Sequence, residues 1–342
     1  MDILFFVEKF VFILVIFALT MVIALYSTYA ERKVAGFLQD RYGPNRAGIF
    51  GLLQPVCDGA KLFSKEEFMP KNANKVLFIV GPAVAMIVSL LGAAVIPWVD
   101  RFEFGDYVVV GQIADVNVGL LYIVAVLSTA VYGVILGGWA SNNKFALIGA
   151  IRAGAQTISY EIAMGLALIA LVMMTGTLSL REITIQQADA WNIFLQPLTF
   201  LIFLICSFAE CNRTPFDLPE CESELVNGHH TEFSSLKMGF FMFSEYASMF
   251  FSSALISVLF FGGYLYPGMG WVEENLGVNI ANILAFASLL AKIVFFIFFY
   301  MWVRWTIPRF RYDQLMNLGW KILFPLALVN IFLVGIGVLI FK

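Results

Sequence analysis

Eight apolar stretches, each holding at most two charged residues, recur near positions 5–29, 76–98, 117–138, 157–175, 192–209, 239–262, 280–300 and 320–341. About 20 helical residues cross roughly 30 Å of hydrocarbon. In that medium every backbone N–H and C=O needs an internal partner, which only helices or closed barrels supply. The chain is therefore expected to be an all-α integral membrane protein with eight transmembrane helices. With 61% apolar and only 13% charged residues, it has too little polar surface for a soluble domain. No internal repeat and no Pro, Gly and Ser linker divides it, so residues 1–342 read as a single polytopic membrane domain.

The basic residues orient that bundle. Eight Lys and Arg fall in the first loop (31–75), two in the third, two in the fifth and three in the seventh, against one, one and none in the second, fourth and sixth. The positive-inside rule puts the odd loops in the cytoplasm and the N and C termini on the outer side. The first stretch is expected to stay as a helix rather than be cleaved, because Asp2 and Glu8 sit beside Lys9 and no A-x-A site follows.

Other functions are disfavoured by composition. A net charge of −3 gives no argument for nucleic acid. Cys57, Cys206, Cys211 and Cys221 form no C-x-x-C pair and are expected to be free thiols. His229 and His230 are adjacent, a spacing that does not place two ligands on one helix face, so no metal site and no redox centre of its own are expected.

The first loop has structure of its own. Ile49, Leu52, Leu53, Val56, Ala60 and Phe63 follow helical spacing, with Gln54, Asp58, Lys61 and Lys65 on the other side. That is the pattern of a short amphipathic helix lying at the membrane interface. Before it, "AERKVAGFLQDRYGPNRAG" (30–48) crowds Glu31, Arg32, Lys33, Asp40, Arg41 and Arg46 around a Gly-Pro-Asn turn. Such a turn fixes the angle between two charged arms, and so points to a functional loop.

Ionisable residues inside spanning helices cost about 2.5–3.5 kcal/mol even on insertion scales and mark function by default. Glu161, expected a few residues into the fourth helix, Glu245 in the sixth and Lys292 in the seventh qualify. Glu210 ends the fifth helix, and "AECNRTPFDLPECESELVNGHHTEF" (209–233) adds Asp217, Glu220, Glu222, Glu224 and Glu232 against a single base, Arg213. Asp217, Glu220 and Glu224 have the spacing of one helix face, although Pro219 argues against a regular helix there. Carboxylates clustered in a partly dry cavity raise one another's proton affinity and can carry protons at neutral pH. The structural alternative, that Lys292 merely pairs the intramembrane acids, leaves at least one carboxylate without a lysine partner.

Together with "QTISYEIAMGLAL", "SEYASM" and "WVRWTIPRFRYDQLMNLGWK", these blocks resemble the quinone-site membrane subunit of respiratory complex I, the proton-pumping NADH:quinone oxidoreductase, over the whole chain. The sequence departs from that pattern at "GHHTEF", where an aromatic residue followed by His or Asn is expected, and at Trp305, where a small residue is common. The resemblance implies an eight-helix subunit in the bacterial cytoplasmic (inner) membrane. It would help form a lipid-quinone tunnel against peripheral-arm subunits that hold the terminal iron–sulfur cluster, and adjoin small and antiporter-like membrane subunits.

Carried over, the resemblance assigns the quinone cavity to Glu31, Arg32, Arg41, Arg213, Asp217, Glu220, Glu222 and Glu224, and the proton path to Glu161, Glu210, Glu245 and Lys292. NADH, FMN and the iron–sulfur clusters would belong to partners, so this chain alone is an incomplete enzyme. A homologous subunit of a membrane-bound hydrogenase or related dehydrogenase is the rival reading. An independent ion transporter fits less well, because its inverted repeats are missing.

Overall fold

The computed structural model describes residues 3–104, 107–219 and 222–341. Helix α1 (Ile3–Leu38) leads through a 3₁₀ turn (Ile49–Gly51) to α2 (Gln54–Ser64) and α3 (Lys75–Leu91). A hairpin of β1 (Arg101–Phe104) and β2 (Tyr107–Val110) separates α3 from α4 (Gly119–Ala140) and α5 (Lys144–Thr175). Then come α6 (Leu180–Gln186), α7 (Asn192–Leu195), α8 (Pro197–Glu210), α9 (Glu222–Leu225), α10 (Ser235–Phe260), α11 (Met269–Leu276), α12 (Val278–Thr306), α13 (Tyr312–Asn317) and α14 (Phe324–Phe341). A π-helical turn (Leu318–Leu323) joins α13 to α14.

Among the described residues, seven helical stretches are long and apolar enough to cross a membrane, where the hydropathy pattern predicts eight. The difference is the segment at 192–209, which is broken into α7 and α8 at Gln196 (φ −136°, ψ 63°). Pro197 causes the break, since its ring disfavours the helical region for the preceding residue and it brings no N–H of its own. What remains, α8, has 14 residues, about 21 Å of helix.

Two other expectations change. Helix α5 begins at Lys144 rather than near 157, so Glu161 lies near its middle instead of a few residues from its start. The extra turns carry Lys144, Arg152 and Gln156, whose polarity hides them from a hydropathy reading while Asn143 caps them through its side chain, 2.9 Å from the Phe145 N–H. The strand pair is also unexpected in a chain read as wholly helical. Arg101 pairs with Val110 and Glu103 with Val108, and the Asn279 side chain ties the Glu103 backbone to α12 at 2.9 and 2.7 Å. Helix α2 occupies the stretch expected to be amphipathic, and Val56 and Phe63 on it are exposed.

The helices define two ends. The loops 39–74, 141–143, 211–234 and 307–311 lie at one, here the basic end, and the hairpin with residues 176–196 and 261–277 at the other. Helix α10 runs between them through the core, packed on α1, α3 and α12. Its buried serines return their hydroxyls to the helix, Ser253 to the Met249 carbonyl (2.7 Å) and Ser257 to that of Ser253 (2.8 Å).

Helices α3 and α4 meet along a seam of small residues, as in membrane helix pairs held by van der Waals contact rather than by the hydrophobic effect. A Cβ placed on Gly133 would stand 2.8 Å from the Ala85 nitrogen, and one on Gly81 would stand 2.9 Å from the Gly137 Cα. Gly133→Val is therefore expected to cost at least about 1–3 kcal/mol, seen as a lowered melting temperature or loss of the assembled complex. Gly165→Ala, where nothing lies within 4 Å, should melt as the wild type does.

Candidate functional site

Glu31 stands near the basic end of α1 and is almost completely buried, which a carboxylate tolerates only when its charge is met. Three elements meet it. The Arg213 Nη1, from the loop after α8, is 3.3 Å from Oε2, and the Tyr246 hydroxyl on α10 donates to the same oxygen at 2.9 Å. The Arg304 Nη1, near the end of α12, lies 2.5 Å from Oε1. Arg213, 5% exposed, also faces Glu245 Oε2 at 3.5 Å and lays its guanidinium over the Tyr246 ring at 4.2 Å. One buried network thus joins α1, α10, α12 and the acidic loop.

The loop is positioned by residues that the sequence reading passed over. Gln156, fully buried on α5, donates to the Ala209 and Phe216 carbonyls (2.8 and 2.7 Å) and to the Asn212 side chain (3.2 Å). Asp217 is held by Arg309 at 2.8 Å and Glu224 by Arg152 at 2.5 Å. Of the acids suggested to share a helix face, Asp217 lies outside any helix and Glu224 lies in α9, and the two go to different partners. Glu220 lies outside the described residues, and Glu222 begins α9. A search confined to charges inside long apolar runs misses Gln156 and the arginines at helix ends, although "VRWTIPRFR" shows Arg304 and Arg309 plainly.

The charged residues of the first loop divide. Arg32 pairs with Asp58 of α2 at 2.6 Å, and Gln54 donates to the other Asp58 oxygen at 2.9 Å. Arg41 is exposed and bonds only locally, to Gln39 at 2.7 Å. Between α1, α2 and α10 lies a cavity of about 450 Å³ whose mouth carries Arg32, Asp58, Lys61 and Lys65. Its apolar wall includes Ala24, Leu25, Leu62, Met242 and Phe243, and it reaches Tyr246, hence the Glu31 network.

A second cavity, of about 40 Å³, lies deeper and is lined by Thr157, Glu210, Asn212, His229, Ser244 and Glu245. It exceeds the roughly 10–15 Å³ that one water needs. Glu161 is close enough to Glu210 for the two carboxylates to repel, and Ser128 on α4 lies near it. His230 places Nε2 3.7 Å from Glu245 Oε1. Glu161, Glu210 and Glu245 are thus brought together, and Glu245 connects them to Arg213 and Glu31.

Lys292 is not part of this group. Its Nζ donates to the carbonyls of Phe261 (2.8 Å), Gly263 (2.7 Å) and Leu265 (2.7 Å), and lies 5.2 Å from the Trp191 ring centre. Fifteen residues of α10 separate Glu245 from Phe260, about 22 Å along the axis. Lys292 meets carbonyls that the end of α10 leaves without helical partners, alongside the Asn192 side chain, which donates to Leu259 at 2.8 Å.

Removing the central guanidinium should expose what it offsets. Arg213→Leu leaves Glu31 with Arg304 and Tyr246 but removes the arginine facing Glu245, so it is expected to cost about 3–5 kcal/mol, against a smaller loss for Glu31→Gln. Thermal unfolding of the purified complex carrying each change measures this order.

The chain is similar to known proteins over nearly its whole length. The family model described as NADH dehydrogenase matches residues 10–335. The chain is 66% identical over 340 residues, 99% of its length and 97% of the relative's, to the H subunit of the NADH-quinone oxidoreductase of Flavobacterium johnsoniae. It is 65% identical to the corresponding protein of Flavobacterium psychrophilum, over the full length of both. With an NADH-quinone oxidoreductase H subunit of Cytophaga hutchinsonii it shares 59% identity over 98% of each chain.

Proposed function

The chain belongs to the NADH dehydrogenase family, as the H-type membrane subunit of NADH-quinone oxidoreductase, complex I, and from that premise we propose that it forms part of the quinone-binding tunnel and couples quinone reduction to proton translocation. The observation that carries this reading is the continuity of three features: a cavity open between α1, α2 and α10, the Glu31–Arg213–Tyr246 network that meets its lining at Tyr246, and the carboxylates of the second cavity.

The 450 Å³ cavity has the size and lining of a site for an apolar molecule with a polar head. The isoprenoid part of a lipid quinone would lie along Leu25, Leu62, Met242 and Phe243, with its head toward Tyr246 and the charged loop. The flavin and iron–sulfur clusters of partner subunits supply the two electrons. What this chain contributes is shape and charge. Glu31, Arg213 and Arg304 hold the loop containing Asp217 and Glu224 against α10 and α12, and they exclude water from the ion pairs between them. Reduction of a quinone beside them takes up two protons and changes the local charge. Arg213 lies between Glu31 and Glu245, so a change at one carboxylate alters the field at the other. Glu245, Glu210 and Glu161 then form a route of titratable groups into the bundle, the first two lining a water-sized cavity.

In this reading the basic end faces the cytoplasm of a bacterial inner membrane. Peripheral-arm subunits with the terminal iron–sulfur cluster cover the acidic loop, and small and antiporter-like subunits continue the membrane arm. Residues 1–342 act as a single domain. Lys292 serves by closing the far end of α10 rather than by carrying protons.

Two experiments separate the halves of this proposal. Gly59 lines the larger cavity and has nothing within 4 Å of an added Cβ, so Gly59→Trp should fill it without disturbing the fold. The expected result is a KM for quinone raised about tenfold or more, with NADH oxidation by artificial acceptors unchanged. An unchanged KM would remove the cavity from the quinone path. Glu245→Gln and Glu161→Gln keep side-chain size but cannot titrate. Proton uptake into vesicles should fall sharply in both and less in the Asp variants, whereas normal pumping in both Gln variants would exclude these residues from the route.

A further inference from the structure

The two adjacent histidines have no place in the route above, yet they are among the most enclosed polar residues of the chain, 3% and 1% exposed. Sequence spacing alone makes them ordinary loop residues. In the structure they lie in a 3₁₀ turn (Gly228–His230) whose rings stand 3.8 Å apart, each edge-on to Phe241 at 5.2 and 5.3 Å. Gly149 of α5 presses on this turn, since a Cβ there would stand 2.9 Å from the His229 nitrogen. The turn is thereby fixed between α5 and α10.

The two rings face different surroundings. His229 lines the water-sized cavity with Glu210, Asn212 and Glu245. His230 lies 3.7 Å from Glu245, whose other oxygen faces Arg213. We infer that His229 and His230 form a one-proton store between this cavity and Glu245, a role that rests on the proton route proposed above.

The reasoning is electrostatic. Two imidazolium rings in contact in a dry site repel strongly, so the pair holds at most one proton at a time. Imidazole is the side chain that exchanges protons near neutral pH. A proton arriving on His229 from cavity water therefore displaces the one on His230, which passes to the Glu245 carboxylate across a gap that a small rotation or one water closes. One proton enters and one leaves, and the pair returns to its single charge. The charged groups facing the pair are Glu245 beside His230, Glu210 across the cavity that His229 lines, and Arg213 beyond Glu245.

The test uses the assembled complex in vesicles, with proton uptake and quinone-dependent NADH oxidation measured from about pH 5.5 to 8. His229→Phe retains a ring edge-on to Phe241 but cannot titrate. Wild-type coupled turnover should decline as pH rises through the ordinary imidazole range near 6.5. In His229→Phe that decline should disappear and proton uptake at neutral pH should fall about tenfold or more. His230→Asn should behave alike. Should the Phe variant not assemble, His229→Gln is judged by the same criterion. A wild-type rate and pH profile in the histidine variants, alongside lost pumping in Glu245→Gln, would overturn the store and leave the carboxylate route standing. Normal pumping in Glu245→Gln as well would overturn both.

Discussion

A buried carboxylate between two guanidiniums is the arrangement on which the rest of the structure depends. The buried Glu31 carboxylate meets the guanidiniums of both Arg213 and Arg304, and Arg213, itself buried, has Glu31 and Glu245 as its acidic partners. Because the partners come from α1, α12 and the loop after α8, meeting this one electrostatic requirement also decides where those elements lie. Tyr246 closes the arrangement from α10, with its hydroxyl on the carboxylate and its ring under Arg213. Ion pairs of this kind are weak contributors to net stability, but they are selective: few other packings of the same helices would satisfy them.

The opposite end of α10 solves a different difficulty. A helix that stops inside a membrane protein leaves carbonyls which lipid cannot satisfy. Here Gln187, Asn192 and Lys292 provide the donors. Polar residues in this chain therefore serve two separate demands, fixed charge at the basic end and backbone completion at the hairpin end.

Much of this was legible in advance. Hydropathy located the long helices, and the shared level of Glu161, Glu210 and Glu245 followed from two helices that start at the basic end and a third, α8, that ends there. The misreadings have physical causes. Pro197 broke a segment that window averages treat as continuous. Arg152 and Gln156 made the first turns of α5 look like a loop, though their side chains are satisfied by the acidic loop lying across them. Lys292 was assigned to the proton path by resemblance, and its contacts in the structure are main-chain carbonyls that no side-chain motif announces. The contact of the His229 ring with that of His230 was equally hidden, because it depends on a turn wedged between Gly149 and Phe241.

The three carbonyls around the Lys292 ammonium have the geometry of a coordination shell for a dehydrated monovalent cation. A free ion lodged there could dissociate, exchange with others and drift along the field of an energised membrane. An ammonium bonded to the chain does none of these. The end of α10 is thus completed by a positive charge that cannot migrate, and a membrane protein gains this without opening a leak for other cations.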